Sequence, residues 1–300
     1  MKKKTYLFAL MAMVLTLGSC SDNENGIGGE TSKYITVSTS IGNMTRVATD
    51  ANGGQTFEEG DEISVYAWTG DATVAPETRE RVVNNAINKL TNGSWVSTPQ
   101  MLWKNNRDKH YFIGVYPTAA ISDLSAGEYT FDVNKQTESD LLVAVNKDGL
   151  SYNVDEQQTV PLTFTHVMAK LAVNLTYKNQ WGGIPTVEKV VVGNAAKEAT
   201  INYLTKVVTP STTAKEDFSL PEITENTKYV SVIIPQEDVK QLTIVIGGKN
   251  FVYDNGTPFK LESGKITTVN LEVGRDEIKL GDVKITNWED GSTFSGEALN

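Results

Sequence analysis

The feature that most constrains this chain is a break of alternation inside residues 160–177, VPLTFTHVMAKLAVNLTY. Up to His166 the apolar side chains fall on even positions, Leu162 and Phe164. From Val167 they fall on odd ones, Val167, Ala169, Leu171, Val173, Leu175 and Tyr177. Period-two alternation marks a strand with one buried face. A one-residue shift turns that face over, so a single strand cannot run through the break without a bulge or a passage between two sheets. The stretch stands near the middle of 300 residues, with strand-like segments on both sides. It reads as the place where one β-domain ends and a second opens, with the polar run at 155–158 as the linker.

The other strand-like segments are short and separated by turn residues. Residues 34–41, YITVSTSI, put Ile35, Val37 and Ile41 on one face with Thr39, and Thr36, Ser38 and Ser40 on the other. The following stretch, with its Thr45-Arg46 pair, is polar and Gly-rich and is expected to be exposed. Residues 62–68 set Ile63, Val65 and Ala67 on one face. Residues 76–90 are ambiguous. Val82, Val83, Ala86, Ile87 and Leu90 fit a helix face, whereas Asn92-Gly93 is a hairpin turn, giving a strand at 86–90 with a short helix before it as the alternative. Residues 101–103 and 259–261 read as short strands, and 206–226 as a polar loop. Residues 278–288 form the last strand, and here too the phase changes: Ile278 and Leu280 are even, Val283 and Ile285 odd, across Gly281-Asp282. Short apolar runs, 24 glycines and many Thr and Val residues point to an all-β chain. The expected division is 34–158 for the first domain and 159–300 for the second.

The N-terminus has a separate reading. Lys2, Lys3 and Lys4 precede an apolar stretch at 6–17 that is too short to span a bilayer, and Leu17-Gly18-Ser19-Cys20 resembles a bacterial lipobox. That resemblance implies cleavage before Cys20 and attachment of a diacylglycerol, with 1–19 as signal peptide and 20–33 as a flexible tether. An ordinary secretory peptide with a chance cysteine is the other reading, but the chain has one cysteine and it sits where a lipobox needs it. A single cysteine forms no internal disulfide. The net charge of −10 argues against nucleic acid and anionic membrane surfaces as partners.

No chemistry-bearing pattern emerges. The two histidines, His110 and His166, come with no HExxH or Cys/His pair, so no metal site is expected. Gly264-Lys265 lacks the rest of a phosphate loop, and no GxSxG is present, so neither a cofactor nor catalytic residues are expected. His166 reads as a packed strand residue. Trp68, Trp95, Trp103 and Trp181 read as core residues, with sugar-stacking platforms as the rarer role.

Several weak motifs in order carry a resemblance. They are the lipobox, Thr45-Arg46, Phe57-x-x-Gly60-Asp61-x-Ile63-x-Val65, the run 112–117, Leu162-x-Phe164-x-His166-x-x-Ala169-Lys170-Leu171, the run 232–235, and Leu261-x-x-Gly264-Lys265 leading to Val269-x-Leu271-x-Val273. Together they resemble the fimbrillin family of type V pili. The resemblance implies two tandem transthyretin-like β-sandwich domains after a lipoprotein signal peptide, and display at the outer membrane and cell surface in a fimbria. It also implies other pilus subunits as head-to-tail partners, with a host or bacterial surface receptor as a further one. A surface protease is implied to cut after an arginine, for which Arg46 stands in this chain, although a solvated loop arginine is the plainer reading. Cutting would free the strand carrying Ile35, Val37 and Ile41. The candidate donor from another subunit is the C-terminal segment with Ile278, Leu280, Val283 and Ile285; it could instead be the last strand of its own domain. The competing function is a surface lipoprotein that binds glycans without polymerising.

Overall fold

The computed structural model describes residues 33–42, 56–136, 139–153, 155–156, 158–254 and 256–288. Cys20 and Arg46 lie outside the described residues, as does most of the tether. The chain is all-β, as the alternation predicts. The first half carries β1 (Thr36–Ile41), β2 (Glu62–Thr69), β3 (Arg81–Thr91), β4 (Ser94–Thr98), β5 (His110–Tyr116), β6 (Gly127–Thr130), β7 (Leu142–Leu150) and β8 (Thr159–His166). The second half carries β9 (Ala169–Tyr177), β10 (Val187–Ala196), β11 (Glu198–Asn202), β12 (Val207–Pro210), β13 (Lys215–Leu220) and β14 (Glu222–Thr224). It continues with β15 (Lys228–Ile233), β16 (Gln241–Ile246), β17 (Lys249–Asp254), β18 (Lys265–Val273) and β19 (Ile278–Asn287).

Seven strands of the first half form one sheet in the order β1-β8-β7-β5-β2-β3-β4. In the second half a five-stranded sheet, β14-β15-β9-β18-β19, and a four-stranded sheet, β13-β10-β16-β17, share one core that includes Leu171, Val269, Val190 and Ile244. A three-stranded sheet, β12-β11-β6, joins the halves, because β6 comes from the first and its partner β11 from the second.

The break at His166–Val167 is a change of sheet. β8 ends at His166 in the first sheet and β9 opens at Ala169 in the five-stranded one. The changeover therefore lies after β8, whereas the expected boundary at 158/159 falls before it. β8 pairs with β1 and β7 of the first sheet, so its even-numbered apolar set belongs to the N-terminal core.

The same sequence signal has a different cause elsewhere. In β19, Ile278, Leu280, Val283 and Ile285 stand opposite Val273, Leu271, Val269 and Thr267, all on one face of β18, because a bulge absorbs the extra residue at Gly281-Asp282. In β3 the buried positions run Arg81, Val83, then Ala86, Asn88. A bulge lies between Val83 and Ala86, with Asn85 at φ 55°. That bulge produced the helix-like spacing. The region is a strand from Arg81 onward, preceded by one 3-10 turn, Thr78–Glu80.

Two further expectations change. Residues 206–226 hold β12, β13 and β14, short peripheral strands that bury few side chains and so show little alternation. Residues 101–103 and 259–261 make only single bridges, Tyr34 to Leu102 and Gln236 to Leu261.

β2 is buried on both faces, from Ile63 to Trp68. Ile63, Val65 and Ala67 face the N-terminal core, whereas Tyr66 and Trp68 face the larger core shared with the second half. Polar groups fasten the crossing segment 117–123 over that second face. Ser64 Oγ accepts the Ala119 N–H (2.9 Å) and the Tyr66 hydroxyl accepts the Ile121 N–H (2.9 Å). Arg81 donates to the carbonyls of Ile121 and Ser122 (both 2.7 Å).

Candidate functional site

The two terminal strands of the described chain are held in opposite ways, and that contrast defines the site. β1 lies at one margin of the seven-stranded sheet and pairs in parallel with β8, Thr36 opposite Thr159 through Ile41 opposite Phe164. Its alternation sends Ile35, Val37 and Ile41 inward, where they are 2, 6 and 6 % exposed among Val65, Phe112, Leu162 and Phe164. Fully burying such side chains stabilises by roughly 1.5–3 kcal/mol each, so the three together contribute about as much as the whole net stability of a small domain. On the outer face hydroxyls meet: Thr36 with Thr159, and Ser40 donating to Thr163, each at 3.2 Å. Backbone bonds fix both ends, from Ile35 N–H to the Met101 carbonyl (2.9 Å) and from Gly42 N–H to the Phe164 carbonyl (2.8 Å).

The other side of β1 faces a groove of about 690 Å³, walled by β1 and by the β3–β4 hairpin with Leu90, Gly93 and Trp95. Trp95 Nε1–H bridges it to Thr39 Oγ1 (3.0 Å). Phe57 plugs its base, its ring edge-on to Trp95, Tyr116 and Phe164 at 5.3, 5.3 and 5.2 Å.

β19 is peripheral. It adds to the margin of the five-stranded sheet through β18. Ile278 and Leu280 are partly buried against the core, whereas Val283 and Ile285 are 38 and 37 % exposed. The four candidate donor residues thus lie in a strand of their own domain. At its start Glu277 pairs with Lys178, a contact that lowers the Glu277 carboxyl and raises the Lys178 ammonium from their ordinary values. At its end Trp288 is buried, and its N–H donates to the Gly264 carbonyl (2.8 Å). The Trp288 indole stacks on the His166 ring, with centroids 3.9 Å apart and planes 8° from parallel. The Lys170 ammonium lies 4.0 Å from the same indole centroid. His166 Nδ1 in turn sits 2.9 Å from the Asp140 carboxylate. Sequence reasoning placed His166 as a packed strand residue and missed its pairing with Trp288, because the two residues are 122 positions apart and only the fold brings them together.

The remaining polar candidates are structural. His110 is fully buried; its Nε2 accepts the Lys104 N–H (3.0 Å), which leaves the proton on Nδ1, facing the Asp108 carbonyl (3.1 Å). Burial pushes its pKa down. Among the described residues no three His, Cys, Asp or Glu side chains converge on a metal position. Trp68 and Trp103 are buried and offer no open face; Trp95 and Trp181 are half-buried. No helix among the described residues is long and apolar enough to cross a membrane.

A sequence model of the fimbrillin-like family matches residues 45–288. The chain belongs to the fimbrillin-like family. A fimbrium subunit candidate of Bacteroides uniformis, Fim1C, is 24 % identical over 315 residues, covering 97 % of each chain. Among solved structures, a cell adhesion protein candidate from Bacteroides uniformis superposes with a TM-score of 0.63 at 17 % identity, over 86 % of this chain and all of that one. A fimbrial protein from Bacteroides vulgatus superposes at 0.52 with 13 % identity, over 84 % of this chain and 99 % of that one. These superpositions show the shared fold. Membership makes a fimbrial or cell-adhesion role the coarse function of this fimbrillin-like chain.

Proposed function

We propose that the protein is a structural or adhesive subunit of a cell-surface fimbria, exported as a lipoprotein through Cys20 and polymerised by strand exchange. The observation that carries the proposal is the contrast just described: an N-terminal strand whose side chains complete a core, and a C-terminal strand held mainly by one ladder at a sheet margin. Cleavage after Arg46 would separate β1 from the body of the chain. Its departure would leave an apolar channel beside the unpaired backbone of β8. An extended segment with the same alternation replaces both the ladder and the apolar contacts. β19 has that alternation, with four apolar residues brought to one face by its bulge. A contact between the groove of one copy and the C-terminal strand of the next is head-to-tail, and so builds an open fibre. In this reading the chain divides after β8, near Val167, and the lipid anchor tethers the subunit to the outer membrane before assembly.

The test uses trypsin on the purified protein. Cleavage at Arg46 with SDS-resistant multimers is expected, and Arg46→Ala should abolish both. Cysteines at Val269 and Val283, which face each other across β18 and β19, should block multimers until reduced while leaving cleavage intact. Normal fibres from Arg46→Ala would remove the cleavage step, and multimers from the locked chain would place the donor elsewhere.

A further inference from the structure

The two terminal strands reach the same strand, β8, two residues apart: β1 pairs with it up to Phe164, and Trp288 stacks on His166. β8 rests on β7 through only three pairs, Ala144 with Phe164, Val143 with Thr165 and Leu142 with His166. Its first five residues, 159–163, have β1 as their sole strand partner among the described residues. The β1 ladder runs to Phe164, and Gly42 adds a bond to the Phe164 carbonyl. Two residues further along the same strand stands the ring on which Trp288 stacks. The Gly264 carbonyl that accepts the Trp288 N–H belongs to a turn bonded to the same junction, because Gly264 N–H donates to the Met168 carbonyl (2.8 Å). The end of β19 is therefore fastened, by side chain and by backbone, to the junction between β8 and β9.

We infer that Trp288 is a latch that ties release of the C-terminal strand to the presence of the N-terminal one. The inference rests on the strand-exchange reading and adds its regulation. With β1 seated, β8 is paired along its length and holds the His166 ring in place. With β1 gone, the strand pairs left to β8 among the described residues are the three with β7 at its His166 end, so the platform under the indole rests on that short ladder and the Asp140 contact, and it loosens. β19 then loses its most buried aromatic anchor and keeps a ladder plus the half-buried Ile278 and Leu280. The two-state element is β19, docked or free, and both termini bias it, which is the physical content that a coupling claim requires. A subunit built this way keeps its own donor strand docked until its groove is open, so uncut copies do not polymerise.

The test is hydrogen exchange of the full chain, read by mass spectrometry at the β19 amides before and after trypsin cleavage at Arg46. The amides of β14, the opposite margin of the same sheet, serve as control. Cleavage should speed β19 exchange at least tenfold and leave β14 unchanged. Trp288→Ala should reach the faster rate with β1 still in place and β8 still protected, and cleavage should then add nothing. Trp288→Phe should restore part of the dependence on β1. Should cleavage also expose β14, the milder Val37→Thr loosens β1 within an intact chain and gives the same two readings. β19 exchange that ignores the loss or loosening of β1, or that stays slow in Trp288→Ala, overturns the latch. Multimers without faster exchange leave strand exchange standing and remove the latch; faster exchange without multimers does the reverse.

Discussion

Gly114 lies against the ring of Phe164: a Cβ built on it would come within 2.7 Å of Phe164 Cζ. Phe164 is the β8 residue opposite Ile41, and it also meets Phe57. The glycine thus makes room for the ring that floors the β1 seat. Gly114→Ala should overpack this core and cost about 1–3 kcal/mol. Urea denaturation reads the loss, and trypsin cleavage at Arg46 should speed up at the same time. Unchanged stability would mean that Phe164 moves aside freely.

Tyr66→Phe tests the fastening of residues 117–123. The hydroxyl accepts the Ile121 N–H and donates to the Ala119 carbonyl. Its removal leaves both without that partner beneath a buried surface. The expected cost is about 1–3 kcal/mol, with faster exchange of the Ile121 amide and easier proteolysis within 117–126. A variant as stable as the wild type would show that the segment is held by Arg81 and Ser64 alone.

His110 predicts an acid-side loss of stability. Burial lowers its pKa from the ordinary 6.5, so between the folded value and 6.5 the unfolded chain binds more protons than the folded one. Its contribution is complete above 6.5 and is lost as pH falls from there to the folded pKa. Denaturant midpoints measured between pH 8 and pH 5 should decline in the wild type more than in His110→Gln. Parallel curves for the two proteins would rule His110 out as the source.

Cys20→Ser tests the anchor. One acyl chain holds a protein only marginally at a membrane, whereas several hold it firmly. The variant should take up no labelled palmitate and should leave the outer-membrane fraction as an uncleaved or soluble form. Labelled, membrane-bound Cys20→Ser protein would refute the lipobox reading.

Alternation foretold the strands and the apolar faces of β1 and β9 because both run straight through a core. It did not distinguish the causes of the phase breaks. A bulge at Gly281-Asp282 and a change of sheet at His166–Val167 leave the same trace in sequence, since each shifts the period by one residue. β12, β13 and β14 escaped notice because a marginal strand buries few side chains; β13 buries only Phe218 and Leu220. The apolar face of β1 was legible from its own alternation, whereas the Trp288–His166 stack was not, because no local pattern encodes a contact across 122 residues.

The parallel pairing of β1 with β8 also orders events in time. A hairpin closes within a few residues, but Thr36 meets Thr159 only after 123 residues have been brought together, and such closure is slow and entropically costly. β2, β3 and β5 can pair with near neighbours while β1 still has no partner. The first strand of the described chain is thus the last of its own sheet to dock. Side chains of β1 should then be absent from the folding transition state: Val37→Ala should speed unfolding and leave the refolding rate nearly unchanged in stopped-flow traces. A slowed refolding limb would place β1 in the nucleus instead. During its maturation the protein passes through an interval in which the groove exists before the strand that fills it.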